Sequence, residues 1–377
     1  MGLNLASTIR AQRKARGVTQ QQLADFLGVS KASVSKWETG ATLPDITLLP
    51  LLAGYFNLTL DALMAYQASL SASAIRTQYQ TLQAAFAHDS AEVVQAQIEA
   101  TVRRYYACPP LLVAMAQLVI NHYDLLPGPD QPTKLTRYLT QADTWLTRAR
   151  TLSQDPVLID KAAKLSAYCA LSLQDPDRVL DLLGPVPQEM LPGDSLIAMA
   201  YQLKQNPAKA IEVTQSALYQ QVAVMLSQLT NYLALLDSGD PRFTATVARG
   251  QALIAAFDLP QLNPLVTLNF LGVATLGWAA HQAVDRVVPL ALAYLDLLGT
   301  LRPPLTLHGD AYFDQIDDWI AQSSLGETLP RDPARVKRDL WRLIDAHPLM
   351  AALRPLPAYQ PVVARLATLK ETMTDDQ

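Results

Sequence analysis

Charge is scarce in this chain. Asp, Glu, Lys and Arg make up 17% of 377 residues, while hydrophobic residues make up 50%. That balance gives ample apolar surface to bury and argues against a disordered chain. Cysteine is nearly absent. Cys108 and Cys169 stand 61 residues apart, which leaves no metal-ligand spacing and no disulfide framework. Two buried thiols in a reducing compartment are expected, with a regulatory disulfide as the alternative. His88, His122, His281 and His347 show no ligand spacing either. No phosphate-cradling glycine loop, HExxH or GxSxG occurs. The chain is therefore expected not to be an enzyme and to need no metal or cofactor. Long apolar runs are missing too. The longest near-apolar stretch, residues 265–280, contains Asn269 and is too short to span a bilayer comfortably. Residues 1–17, MGLNLASTIRAQRKARG, place no apolar signal core ahead of their basic residues. A soluble, cytoplasmic protein with no membrane partner is expected.

What remains is helical. No convincing strand alternation occurs, so the fold class is all-α, and the length suggests two or more domains. Net charge is −4 and unevenly spread. Residues 1–66 carry six cations (Arg10, Arg13, Lys14, Arg16, Lys31, Lys36) against four acids (Asp25, Glu38, Asp45, Asp61), leaving −6 on the remainder. A basic head on an acidic body fits contact with DNA at one end.

The head is the most informative stretch. Residues 5–16 read as a helix with Leu5 and Ile9 inward and Gly17 ending it. In residues 19–45, TQQQLADFLGVSKASVSKWETGATLPD, Thr19 can cap a helix over 20–27. Gly28-Val29 makes a turn where φ > 0 is needed, and Ser30 can cap a second helix over 31–38. Leu23, Ala24 and Leu27 share one face, as do Val34 and Trp37. Trp37 reads as core. A fourth helix is expected over 46–56, with Leu48, Leu51, Leu52, Tyr55 and Phe56 as its apolar face, and a short fifth over 60–64. The pattern Gln20, Ala24, Gly28, Val29, Val34, Trp37-Glu38-x-Gly40 resembles the Cro and phage-repressor class of helix-turn-helix domains, the XRE family. That resemblance implies a five-helix DNA-binding domain over 1–66 whose third helix enters a major groove. The alternative is a degenerate head kept for protein contacts.

The resemblance also implies roles. Gln20, Lys31, Ala32 and Lys36 are expected at or beside base edges. Lys31 can donate to guanine, and the Ala32 methyl can meet a thymine methyl. Ser33 lies beside them, and Ser35 and Lys36 lie further along, where phosphate is the alternative target. Lys36 is otherwise a solvated lysine. Gln20 can also brace a neighbouring side chain. Phosphate anchoring is expected from Thr19, Gln20, Thr39, Thr42 and the basic residues of helix one, Arg10, Arg13, Lys14 and Arg16, with Ser30 at the start of the recognition helix. Arg13 and Glu38 match the family's structural ion pair.

Residues 65–73, AYQASLSAS, are weakly patterned, and a linker is placed at 67–73. From 74 to 377 the chain reads as helices of about 12–18 residues, punctuated at Pro127-Gly128-Pro129, 184–187, Pro192-Gly193, 239–241, Pro303-Pro304 and Pro330. Asx-Pro pairs stand at Asp155-Pro156, Asp175-Pro176, Asn206-Pro207 and Asp240-Pro241, the last three spaced 31 and 34 residues apart. Residues 192–225, with Tyr201, Ala210 and Ala217-Leu218, resemble a tetratricopeptide helix pair. A tetratricopeptide-like superhelix is expected, a compact bundle being the alternative. The layout resembles the peptide-responsive regulators of the Rgg and PlcR type. It implies a homodimer on a double-stranded DNA operator and a body that senses a peptide or protein effector. Asn121, Asn231 and Asn269, each beside an aromatic in an apolar helix, are the candidate effector ligands, because an amide matches a peptide backbone. Surface asparagines are the plain alternative. His308, Asp310, Asp314, Asp317 and Asp318 read as a capped helix start with a solvated face rather than a metal site. The competing function is an interaction scaffold with incidental DNA binding.

Overall fold

The computed structural model describes residues 5–66, 69–187, 192–302, 305–323 and 333–375. Among them all regular structure is helical. The head contains α1 (Leu5–Ala15), α2 (Gln20–Leu27), α3 (Lys31–Thr39), α4 (Leu49–Phe56) and α5 (Leu60–Met64). The body continues with α6 (Ala72–Ala85), α7 (Ala91–Arg104), α8 (Pro109–His122), α9 (Gln131–Leu152), α10 (Pro156–Ser172) and α11 (Pro176–Leu183). Then come α12 (Gly193–Leu203), α13 (Pro207–Leu235), α14 (Pro241–Ala256), α15 (Leu259–Leu262), α16 (Pro264–Ala280) and α17 (Val284–Thr300). The described residues end with α18 (Asp317–Gln322), α19 (Pro333–Asp345), α20 (Pro348–Leu353) and α21 (Gln360–Asp375). No helix among the described residues is long and apolar enough to cross a membrane.

The chain forms two compact units: Met1–Gln117 with Leu139–Leu173, and Leu118–Tyr138 with Gln174–Gln377. Of the expected linker, residues 67 and 68 lie outside the described residues. Ser71 accepts from the Ala74 N–H and caps α6, so helix resumes at Ala72. Pro303, Pro304 and Pro330 also lie outside the described residues.

In the first unit, the head closes on its own core. Leu5, Ile9, Leu23, Ala24, Leu27, Val34 and Trp37 are buried together with Leu52, Phe56 and Leu63. One expected element differs. Residues 46–56 are not one helix: Ile46–Leu48 is a 3-10 turn capped by Asp45, and the α-helix starts at Leu49 with Pro50 in its first turn. Leu51 consequently faces solvent and Ala53 takes an inward place instead.

In the second unit, each Asx-Pro pair after Asp155-Pro156 opens a helix. Asp175, Asn206 and Asp240 accept from the N–H of Arg178, Lys209 and Arg242, as Asp155 does from Val157 in the first unit. Proline presets φ and wastes no N–H at the first helical position, and the Asx oxygen satisfies an orphan donor. Asn263-Pro264 is a further such cap, on α16, that the repeat spacing did not pick out. α13 departs from the expected lengths. It runs 29 residues without a break, where a helix pair of tetratricopeptide length ends its second member near residue 220. No proline or glycine interrupts residues 208–236, so nothing stops the helix.

The second unit's core joins α13, α14, α16, α17 and α21. α14 and α16 meet through a reciprocal contact. A Cβ on Gly250 would stand 2.0 Å from Phe270, and one on Gly277 would stand 2.3 Å from Phe243. Each glycine is the hollow that receives the other helix's ring, and Phe243 also meets Trp278 edge-on at 5.0 Å. Residues 308–316 form a loop and not the expected helix start. Asp310 accepts from the N–H groups of Tyr312 and Phe313, and Asp317 accepts from that of Gly309. Gln215 of α13 donates to Tyr312 O and Asp314 and accepts from the Gln315 N–H, pinning the loop. These carboxylates are occupied by backbone and amide donors. Among the described residues no His, Cys, Asp and Glu cluster fit for a metal occurs.

Candidate nucleic-acid interface

The site is built at two helix starts. Thr19 is extended (φ −77, ψ 158) and accepts from the Gln22 N–H, while the Gln22 side chain accepts in return from the Thr19 N–H. This capping box sets the start of α2 and places Gln20 in its first turn. Gly28 stands at φ +67, and its N–H closes on Ala24 O and Asp25 O. A left-handed residue here folds the chain back within two residues, and glycine adopts it without steric cost. Ser30 then caps α3 by accepting from the Ser33 N–H at 3.1 Å. The Ser30 and Ser33 hydroxyls lie 2.9 Å apart, so Ser33 is partly committed to the cap.

α3 is fixed from behind. Val34, Trp37 and Glu38 are buried, which turns Lys31, Ala32, Ser35, Lys36 and Thr39 to the opposite side. That spacing of i, i+1, i+4, i+5 and i+8 is one helix face. Lys31, Ala32, Lys36 and Thr39 are exposed, and Ser35 is half-buried. The Thr39 hydroxyl donates to Ser35 O and Lys36 O, both at 3.1 Å, and Thr42 lies exposed in the turn beyond.

Glu38 fastens α3 to α1 and α2. Its side chain is 3% exposed and accepts from Arg13 Nε at 2.5 Å, Arg13 Nη2 at 2.9 Å and Gln20 Nε2 at 2.9 Å. Burial disfavours the carboxylate's charge, but hydrogen bonds from Arg13 and Gln20, with the nearby charges of Arg13 and Arg10, outweigh it and hold Glu38 below its ordinary pKa. The Glu38 hydrogen bond raises the Arg13 pKa in turn. Arg13 Nη1 also donates to Val18 O at 2.7 Å. Of the two openings for Gln20, the bracing contact is made. Arg13 spends its donors inside the head, so its geometry is that of a positioning residue. Arg16 is likewise turned inward, donating to Tyr55 O and Phe56 O. Arg10, Lys14, Lys31 and Lys36 are exposed and make no ion pair among the described residues.

A capped helix, a glycine turn and a second capped helix with a basic outer face can present backbone donors and cations to phosphate and side chains to base edges. The comparisons agree. Residues 9–63 match the helix-turn-helix family HTH_3. The head is a helix-turn-helix domain. A curated relative, the HTH-type transcriptional activator BcrR of Enterococcus faecalis, is 38% identical over 53 residues, 14% of this chain and 26% of the relative. The chain thus matches about a quarter of that relative's length. No solved structure matches this chain significantly.

The body's candidates are more scattered. Asn231 on α13 and Asn269 on α16 are exposed, and Asn121 on α8 is half-buried. None of the three lines the second unit's cleft of about 200 Å³ between Asn263, Leu265, Leu301 and Leu305, or that of about 190 Å³ beside Trp278 and Arg286. Cys108 and Cys169 are buried, and neither forms a disulfide among the described residues.

Proposed function

We propose that this chain is a sequence-specific DNA-binding transcription regulator acting in the cytoplasm, with residues 1–66 as the DNA-binding domain. Residues 67–73 are the linker, and residues 74–377 are a helical-repeat body that dimerises and senses an effector. The observation that carries the DNA reading is the fixed orientation of α3. Glu38, Val34 and Trp37 hold it from behind, and Lys31, Ala32, Ser35 and Lys36 look outward from its first turns. In this reading Lys31 and Ala32 meet base edges, Lys36 and Ser35 flank them, and Arg10, Thr19, Thr39, Thr42 and the starts of α2 and α3 hold phosphate. One recognition helix reads few bases, so a dimer on a two-fold operator is the economical arrangement. The relative is a transcriptional activator that this chain matches in the head alone, and that favours regulation over a bare scaffold.

For the body, a peptide effector held by Asn231 and Asn269 is the leading reading, since both amides are exposed on apolar helices. A shift from a mostly inactive to a mostly active dimer needs about 10⁴-fold differential affinity. A few amide hydrogen bonds do not reach that, so the effector is partly apolar. The test is a mobility-shift assay at fixed salt on DNA from upstream of the chain's own gene, with and without culture supernatant. Specific retardation that supernatant modulates, lost in response but not in binding for Asn231→Ala and Asn269→Ala, is the expected result. No specific retardation by the folded chain leaves the interaction scaffold as the better account.

A further inference from the structure

The α12–α13 hairpin wears its apolar residues on the outside. In α12 the residue turned inward is small, Ala198, while Leu196, Met199 and Leu203 form a stripe at i, i+3 and i+7 on the opposite side. Leu196 is 69% exposed and Leu203 87%. α13 carries a second stripe at strict seven-residue spacing, Ile211, Leu218, Met225 and Tyr232, all exposed, and ends on Leu235 at 83% exposure. A helix that buries its large apolar side chains against its own unit shows the reverse arrangement.

The hairpin itself is poor in charge, and Arg242 of α14, which meets Tyr232, is paired with Asp240 at 2.5 Å. Residues 213–236 contain no Asp, Glu, Lys or Arg, and α12 contains Asp194 alone. The charges at the start of α13, Lys209 and Glu212, neutralise each other at 2.5 Å. A face without net charge meets no repulsion from an identical face, as a two-fold, self-complementary contact requires. Its size is also sufficient. At their fractional exposures the seven stripe residues and Leu235 present about 900 Å², against roughly 800 Å² per partner in a standard stable interface.

We infer that this hairpin is the homodimer interface, packing on the same hairpin of a second copy about a two-fold axis. The assignment deepens the reading above, on which its use in pairing two heads rests. It also accounts for the length of α13: the seven-residue stripe continues through Tyr232, beyond the span that α12 can accompany.

The test is sedimentation equilibrium of the full chain and of a Leu203→Lys, Met225→Lys, Leu235→Lys variant. All three positions are exposed, so the fold should tolerate lysine. Lysine near the ends of α12 and α13 also suits the helix dipole. The wild type is expected to be a dimer at micromolar concentration. The variant is expected to be a monomer with unchanged helical signal, its dimer Kd raised at least about 100-fold by six buried charges per dimer. A wild type that stays monomeric up to about 100 μM overturns the assignment and gives the face to another protein or a peptide. A variant as dimeric as the wild type overturns it as well. Should the variant misfold, amide exchange of the wild type decides. Protection of α12 and α13 that rises as the dimer forms supports the interface, and dimerisation without it refutes the interface. A mobility shift run in parallel separates the two readings. A dimer through this face that binds no specific DNA sinks the regulator and leaves the interface standing. Specific binding by a variant that is still dimeric does the opposite.

Discussion

Two kinds of side chain make the head's DNA-facing geometry, and they fail in different ways when replaced. Glu38 is 3% exposed and accepts from Arg13 Nε, Arg13 Nη2 and Gln20 Nε2, so removing it strands three half-buried donor groups. Breaking such a pair costs about 3–5 kcal/mol in a deep interior. The head is small and water lies near, so Glu38→Ala is expected to lose about 2–3 kcal/mol, read by amide exchange in α1–α3 of the full chain. The pH dependence follows from the same contacts. The folded-state pKa of Glu38 lies below its unfolded value. The contribution is therefore complete above the ordinary glutamate pKa and is lost as pH falls through the depressed folded value. Glu38→Gln should flatten the head's stability over that acid window, and an unchanged acid profile would remove Glu38 as its source. Lys31 is different: it is exposed and supports nothing in the fold. Lys31→Ala is expected to leave stability unchanged, to weaken specific DNA binding by about 1–3 kcal/mol and to relax preference at one base pair. Arg10→Ala, as a phosphate contact, should weaken all sequences alike and reduce the salt slope by about one. A Lys31 variant that behaves like the Arg10 variant would move Lys31 to the phosphate set.

At the scale of elements, legibility followed locality. Thr19, Ser30, Gly28 and the four Asx-Pro pairs act within three or four residues of themselves, and each stands in the structure as its local chemistry implies. The Arg13–Glu38 pair spans 25 residues and was legible only through the family pattern. Departures came where tertiary packing chose between local options. Leu51 yields its inward place to Ala53 because the Ile46–Leu48 turn rephases α4. Asp310 and Asp317 accept from backbone N–H groups and Asp314 from the Gln215 amide, with Asp310 and Asp314 in a loop and Asp317 opening α18, whereas their spacing suggested one helix face. α13 runs on past a repeat-length stop because the sequence holds no breaker there. The glycine hollows of α14 and α16 were not legible in the sequence, since each is defined by a ring on another helix. Phe270 is fully buried and cannot swing aside, so Gly250→Ala is expected to destabilise the second unit by about 1–3 kcal/mol despite alanine's better helix propensity. Calorimetry of the full chain reads this, and an unchanged or raised transition would mean that the α14–α16 contact is looser than its geometry.

For the whole molecule, the helix-turn-helix match covers residues 9–63 alone, while the role proposed for the body rests on length, helicity and surface character. The bulk of the acidic charge lies outside residues 1–66, which favours approach to DNA with the head leading. In the proposed function, two heads on one dimer read a two-fold DNA site through α3. Selection of bound sequences from a random DNA pool by the full chain, at fixed salt, is the direct test. An enriched inverted repeat is expected whose half-sites lie about one helical turn, 10–10.5 base pairs, or a multiple of it apart, with the enrichment lost in Lys31→Ala at one position of each half. A pool that stays random while the chain is folded and dimeric would contradict it.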